Sequence, residues 1–219
     1  MNLRFRADHT MVEVYLVFVA AVYAITALVA LLVSYRAYKG YRIAGNLNLL
    51  FLSAGFALIA LVFGVDTAGV LAAQRHAAAP GVVFLLTYTL TMVEVVAYLL
   101  ILLAYFVKPK AEDVLPIVAI LFLPFTFQIF IVVLLAVIVF SVWAGYRRRP
   151  TASTALVLSS FSLLFVLHLI NALLTFSPRI QTAGYLYFSL IQLLAFVLLY
   201  MAIGPRQDAR EQRERRNIE

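Results

Sequence analysis

Long apolar runs separated by short polar clusters dominate the chain. Five runs are plain, at about 11–35, 47–70, 81–107, 152–176 and 183–203. Each is near the ~20 residues that cross a bilayer core as an α-helix. A further apolar stretch, Val114 to Tyr146, is too long for one ordinary crossing. It carries Pro116 and Pro124 with Thr126 and Gln128 just beyond, and proline followed by polar residues favours a turn. Splitting there gives a short helix near 110–124 and a fuller one near 127–146. The pattern predicts an all-α, polytopic transmembrane helix bundle of seven spans, with six spans as the alternative if 114–146 forms a single helix.

Composition agrees with this pattern. The chain is 65% hydrophobic and 12% charged, with mean hydropathy +1.01, against roughly 45–50% apolar and about 25% charged in soluble domains. This composition argues against a water-soluble fold, and 219 residues of spans and short loops are expected to leave no room for a separate soluble domain. Residues 1–204 read as one transmembrane domain and 205–219 as a charged cytoplasmic tail. The absence of cysteine removes disulfides, thiolate metal sites, thiol catalysis and cysteine lipidation. The first run, Val14 to Val33, exceeds the ~7–15-residue apolar region of a signal peptide and is expected to be a retained span.

The net charge of +7 points to topology rather than to nucleic acid, because the seventeen Lys and Arg residues cluster at the ends of apolar runs. With seven spans and the N-terminus outside, the inner clusters are Arg36, Lys39 and Arg42; Lys108 and Lys110; Arg147 to Arg149; and Arg206, Arg210, Arg213, Arg215 and Arg216. Only Arg4, Arg6, Arg75 and Arg179 remain outside, a partition of 13 to 4, whereas the best six-span arrangement gives 11 to 6. The expected location is the cell membrane, N-terminus outside and C-terminus cytoplasmic. The fourth span of this scheme is short, about 15 residues or roughly 22 Å.

The chain also matches itself. At an offset of 105, Gly40-Tyr41-Arg42 falls on Gly145-Tyr146-Arg147, Phe56 on Phe161, Leu58 on Leu163 and Asp66 on Asn171. At an offset of 98, Glu94 falls on Gln192, Ala97 on Ala195, Tyr98 on Phe196 and Lys108 on Arg206. Two parallel copies, 11–108 and 116–206, require an odd number of helices between their equivalent elements, as the charge rule does. This layout resembles the three-plus-one-plus-three plan of small sugar transporters and microbial rhodopsins, and the basic helix ends resemble those of seven-helix input regions of histidine kinases. A retinal pigment would need a lysine inside the last helix, and Lys39, Lys108 and Lys110 all lie at helix ends. No kinase or other output domain follows the last span in this sequence.

Ionisable and polar residues at mid-bilayer are costly and mark candidate sites. Glu94 lies about 13 residues from the inner end of its run, with no cationic residue near it in sequence. Thr87, Thr91, Glu94, Tyr98 and Tyr105 share one helical stripe. Their counterparts Tyr185, Ser189, Gln192 and Phe196 follow the same offsets, so two facing stripes would line a polar cleft near a pseudo-twofold axis. The alternative is a hydrogen bond between Glu94 and Gln192 across a helix interface, worth about 0.6–2 kcal/mol. His168, Asn171 and Thr175 form a second stripe in the outer half of their helix, with Asp66 expected at equivalent depth, and suit a proton relay or ligand site. Glu13 and Gln128 are expected near the outer surface, with no chemistry assigned.

No cofactor, metal centre or enzyme activity is expected. His9, His76 and His168 are scattered over tail, loop and helix, and HExxH, P-loop, GxSxG and dinucleotide motifs are missing. The tail, with five arginines and Asp208, Glu211, Glu214 and Glu219, reads as a solvated surface helix. Two functions fit: a small bundle that binds or transports a small polar solute or proton, and a sensor or accessory subunit docking on another membrane protein or a second copy. A continuous cavity between the Glu94 and Gln192 helices would favour the first, a closed core the second.

Overall fold

The computed structural model describes residues 2–75, 80–105, 127–174 and 187–203. They form six helices: α1 (Asn2–Ala44), α2 (Leu47–Arg75), α3 (Pro80–Tyr105), α4 (Phe127–Arg148), α5 (Ala152–Leu174) and α6 (Tyr187–Ile203). Five of these are long and apolar enough to cross a membrane, and α6 is a shorter apolar helix. The architecture is an all-α bundle, and the helices agree closely with the apolar runs of the sequence. The short helix expected near 110–124, the residues Lys108, Lys110, Thr175, Arg179 and Tyr185, and the tail 205–219 lie outside the described residues.

Local chemistry sets two of the turns. Gly45, at φ 63°, takes the left-handed position after α1 and donates its N–H to Tyr41 O at 2.8 Å, the usual helix stop. Asn46 then caps α2 by accepting the Asn48 N–H at 3.0 Å. After Pro150, Thr151 and Thr154 cap α5 reciprocally: Thr151 Oγ1 accepts the Thr154 N–H at 3.2 Å, and Thr154 Oγ1 accepts the Thr151 N–H at 3.0 Å.

The outer faces of the bundle are apolar, like its core. Val14, Phe140 and Leu173 are 63–70% exposed on the outer faces of α1, α4 and α5, a surface that suits lipid rather than water. At the centre Phe56, Phe161, Tyr98 and Phe196 are fully enclosed. Phe56 meets Phe196 edge-on with centroids 6.0 Å apart, and Tyr105 meets Phe161 at 5.7 Å.

Helix directions follow from these contacts. Tyr98 packs on His168 and Tyr105 on Phe161, so α3 and α5 are antiparallel. Helix α4 joins α5 through the Arg149–Thr151 turn and packs against it, and Gln128 at its start reaches His168 near the end of α5. Consequently α3 and α4, consecutive among the described helices, run the same way. Ser160 Oγ and Ser153 Oγ donate to Ala195 O and Ala202 O at 2.6 and 2.7 Å, setting α6 antiparallel to α5. Helix α1 leaves the far end of the bundle, where the Arg36 guanidinium lies 3.9 Å over the Tyr200 ring.

Helices α2 and α3 approach most closely at Gly55. A Cβ there would stand 2.8 Å from Ala97 O and 2.7 Å from Ile101 Cγ1, so no side chain fits without moving a helix. Gly55→Ala is expected to destabilise the protein by about 1–3 kcal/mol through overpacking. Its melting temperature in detergent should fall below that of the parent, and an equal or higher value would show that the interface has slack.

Candidate functional site

A cavity of about 330 Å³ opens between the helices in the half of the bundle opposite the α4–α5 turn. Helix α3 contributes Thr87, Thr91 and Glu94, the stripe expected from their spacing, and α6 contributes Ser189 and Gln192 from the facing one. Asp66 enters from α2, and His168 and Asn171 from α5. The two stripes read as separate sites in the sequence therefore share one space. Tyr98 lies one turn below Glu94, is fully buried, and reaches the group through His168.

His168 is the junction. Its side chain is 8% exposed, packs edge-on against Tyr98 with centroids 5.6 Å apart, and places Nε2 3.3 Å from Tyr98 Oη and 3.5 Å from Glu94 Oε1. On the other side of the ring, Gln128 Nε2 donates to Nδ1 at 3.5 Å. An amide N–H directed at Nδ1 leaves Nε2 to carry the ring proton, facing the Glu94 carboxyl and the Tyr98 hydroxyl oxygen. Each contact is long and individually weak. Together they tie α3, α4 and α5 at one point and leave the Glu94 side chain only 18% exposed.

Glu94 and Gln192 both line the cavity, while the contact between side chains at Glu94 is with His168. Gln128, expected near the surface without chemistry, is both a cavity residue and a His168 partner. Periodicity could not reveal this, because Gln128 sits at a helix start that the fold places beside the C-terminal half of α5. Tyr23, Phe63 and Phe188 also line the space. As aromatics inside apolar runs they gave no separate sequence signal. Among the described residues no group of three or more His, Asp or Glu side chains is placed to hold a metal ion.

Residue pairs separated by 105 or 98 positions occur in the lining. At 105 these are Tyr23 with Gln128, Val62 with Leu167, Phe63 with His168, and Asp66 with Asn171. At 98 they are Thr91 with Ser189 and Glu94 with Gln192. Phe63 packs edge-on against Phe196 with centroids 6.0 Å apart, as His168 packs against Tyr98, and these two contacts are equivalent under the same offsets.

No protein-family model matches the chain, and no curated protein and no solved structure matches it.

Tyr98→Phe should keep the ring packing and lose only the contact with His168, about 0.5–1.5 kcal/mol. Tyr98→Ala opens the core and should cost about 3–5 kcal/mol, as large-to-small aromatic changes do. Chemical or thermal unfolding in detergent would separate the two. Equal losses would mean that the hydroxyl, rather than the ring, holds the site together.

Proposed function

We propose that this chain is an integral membrane protein that binds or transports a small polar solute in the cavity between α3 and α6, with Glu94 at its centre. The cavity itself is the observation that carries the reading. Its ~330 Å³ lies at the small end of ligand sites, about 300–1,000 Å³. Its carboxylates, amides and hydroxyls are costly to place in a bilayer unless something uses them. A bundle serving only to dock on a partner has no need of such a space, which favours the solute reading over a sensor or accessory subunit.

The proposed topology has seven crossings, N-terminus outside and C-terminus cytoplasmic. Two observations support it. Helices α3 and α4 are parallel, and the sequence between them is long enough for one further crossing, since about 21 residues would reach roughly 30 Å if helical. The basic groups Arg36 and Arg147 to Arg149 also share the end opposite the cavity, as cytoplasmic ends should. In this orientation the cavity faces outward. A parallel duplication of α1–α3 as α4–α6 is supported by the paired lining and by the equal burial of Phe56 and Phe161, Ala97 and Ala195, and Tyr98 and Phe196.

Because the chain lacks cysteine, introduced thiols test these statements without background. Cysteines at the Met1 and Glu219 positions should react with an impermeant maleimide from opposite sides of the membrane. Reaction from one side only would remove the seven-span topology. Thr91→Cys should react with methyl methanethiosulfonate at least about tenfold faster than Ala195→Cys, whose position is fully buried. Equal slow rates would mean a closed core and would return the accessory-subunit reading. Glu94→Gln keeps shape and hydrogen bonding while removing the titratable proton. A proton- or cation-coupled protein should lose transport in proteoliposomes yet stay folded.

A further inference from the structure

We propose that the cavity is built for a small organic cation: an ammonium compound that also carries a neutral polar group such as a hydroxyl. The inference rests on the reading of the cavity as a ligand site and adds the chemical class of its occupant.

Charge gives the first argument. Asp66 and Glu94 both line the cavity, and among the described residues neither lysine nor arginine does. The one other ionisable nitrogen in the lining belongs to His168, and its Nε2 already faces Glu94 and Tyr98. An anion, or the carboxylate of a zwitterion, would therefore find no lysine or arginine to pair with, whereas a cation meets two carboxyl groups in a site of reduced dielectric.

The aromatic lining narrows the kind of cation. Tyr23 and Phe63 pack against each other with centroids 5.8 Å apart, and both border the cavity together with Phe188. Ring faces attract ammonium groups, quaternary ones included. A divalent metal would instead require a cage of several oxygen or nitrogen ligands, and among the described residues no three His, Asp or Glu side chains are placed to supply one.

Asymmetry supplies the rest. The acidic groups stand on α2 and α3, while their offset partners on α5 and α6 are the amides Asn171 and Gln192. One side of the space suits the ammonium head. The opposite side offers neutral donors and acceptors to a hydroxyl. A volume of about 330 Å³ limits the ligand to a small molecule of this kind.

The test uses three probes of nearly the same branched shape: choline, its uncharged carbon isostere tert-butylethanol, and the anion tert-butylacetate. Titration calorimetry on the purified full chain should show choline binding at least about tenfold more tightly than the alcohol, with the anion weakest. Asp66→Asn should lower choline affinity about tenfold and leave that of the alcohol unchanged. Should that variant not fold, the comparison of probes on the parent protein decides alone. Equal or tighter binding of the alcohol or the anion would overturn the cation assignment while leaving the cavity a ligand site. Silence with all three probes, with Thr91→Cys still reactive, would likewise overturn the cation assignment alone. Silence together with an unreactive Thr91→Cys would overturn both readings.

Discussion

Hydrocarbon offers no hydrogen bonds, so each polar side chain of this bundle must find its partner within the bundle or in an aqueous space it encloses. Glu94 illustrates the constraint. It stands on a helix that is apolar almost throughout, and its neighbours along α3 supply no positive charge. The bundle answers with His168, held in turn by Tyr98 and Gln128, so that three helices converge on one imidazole. The same requirement orders the rest of the structure on a smaller scale. Ser34 donates to Ser53 O at 2.8 Å between α1 and α2, and Ser160 donates to Ala195 O between α5 and α6. Polar contacts of this kind contribute modestly, about 0.6 kcal/mol on average between membrane helices, but they fix which faces meet.

Much of the fold was legible because the longest-range information in the sequence is simple. An apolar run of sufficient length becomes a helix, and Gly45-Asn46 or Pro150-Thr151 ends one helix and begins the next. The stripe of Thr87, Thr91 and Glu94 was equally readable, since spacings of four and three place side chains on one face. Which helices become neighbours was not readable. Helices that are apolar all round carry little amphipathic signal to orient them, so nothing in the spacing of His168 and Asn171 announced that their face would meet Glu94. Gln128 escaped for a related reason: closeness to a helix end was taken for closeness to the surface, whereas the fold packs that end against α5. Tyr23 and Phe63 were hidden by being ordinary residues of apolar runs, and only their shared cavity distinguishes them.

The paired positions also carry unequal chemistry. Where α5 offers Ser160 to Ala195 O, the corresponding place on α2 is Gly55, pressed against Ala97 O. One helix pair is fastened by a hydrogen bond and the other by close backbone approach, two solutions known to hold membrane helices together. Within the cavity, positions 105 residues apart set acid against amide at Asp66 and Asn171, and imidazole against phenyl at His168 and Phe63. Similar scaffolding thus surrounds a space whose two sides differ.

The cavity has an electrical side as well. Where water and ions can enter as far as Glu94, the solution on that side extends into the bundle, and the insulating layer on its axis shrinks to the packed zone beneath. That zone runs along α3 from Tyr98 to Tyr105, roughly 10 Å at helical rise, against a hydrocarbon core of about 30 Å. Its filling includes Phe56, Phe161 and Phe196, each without measurable exposure. Among the described residues, a transmembrane voltage would fall mainly across this aromatic plug, which makes its packing their dielectric barrier.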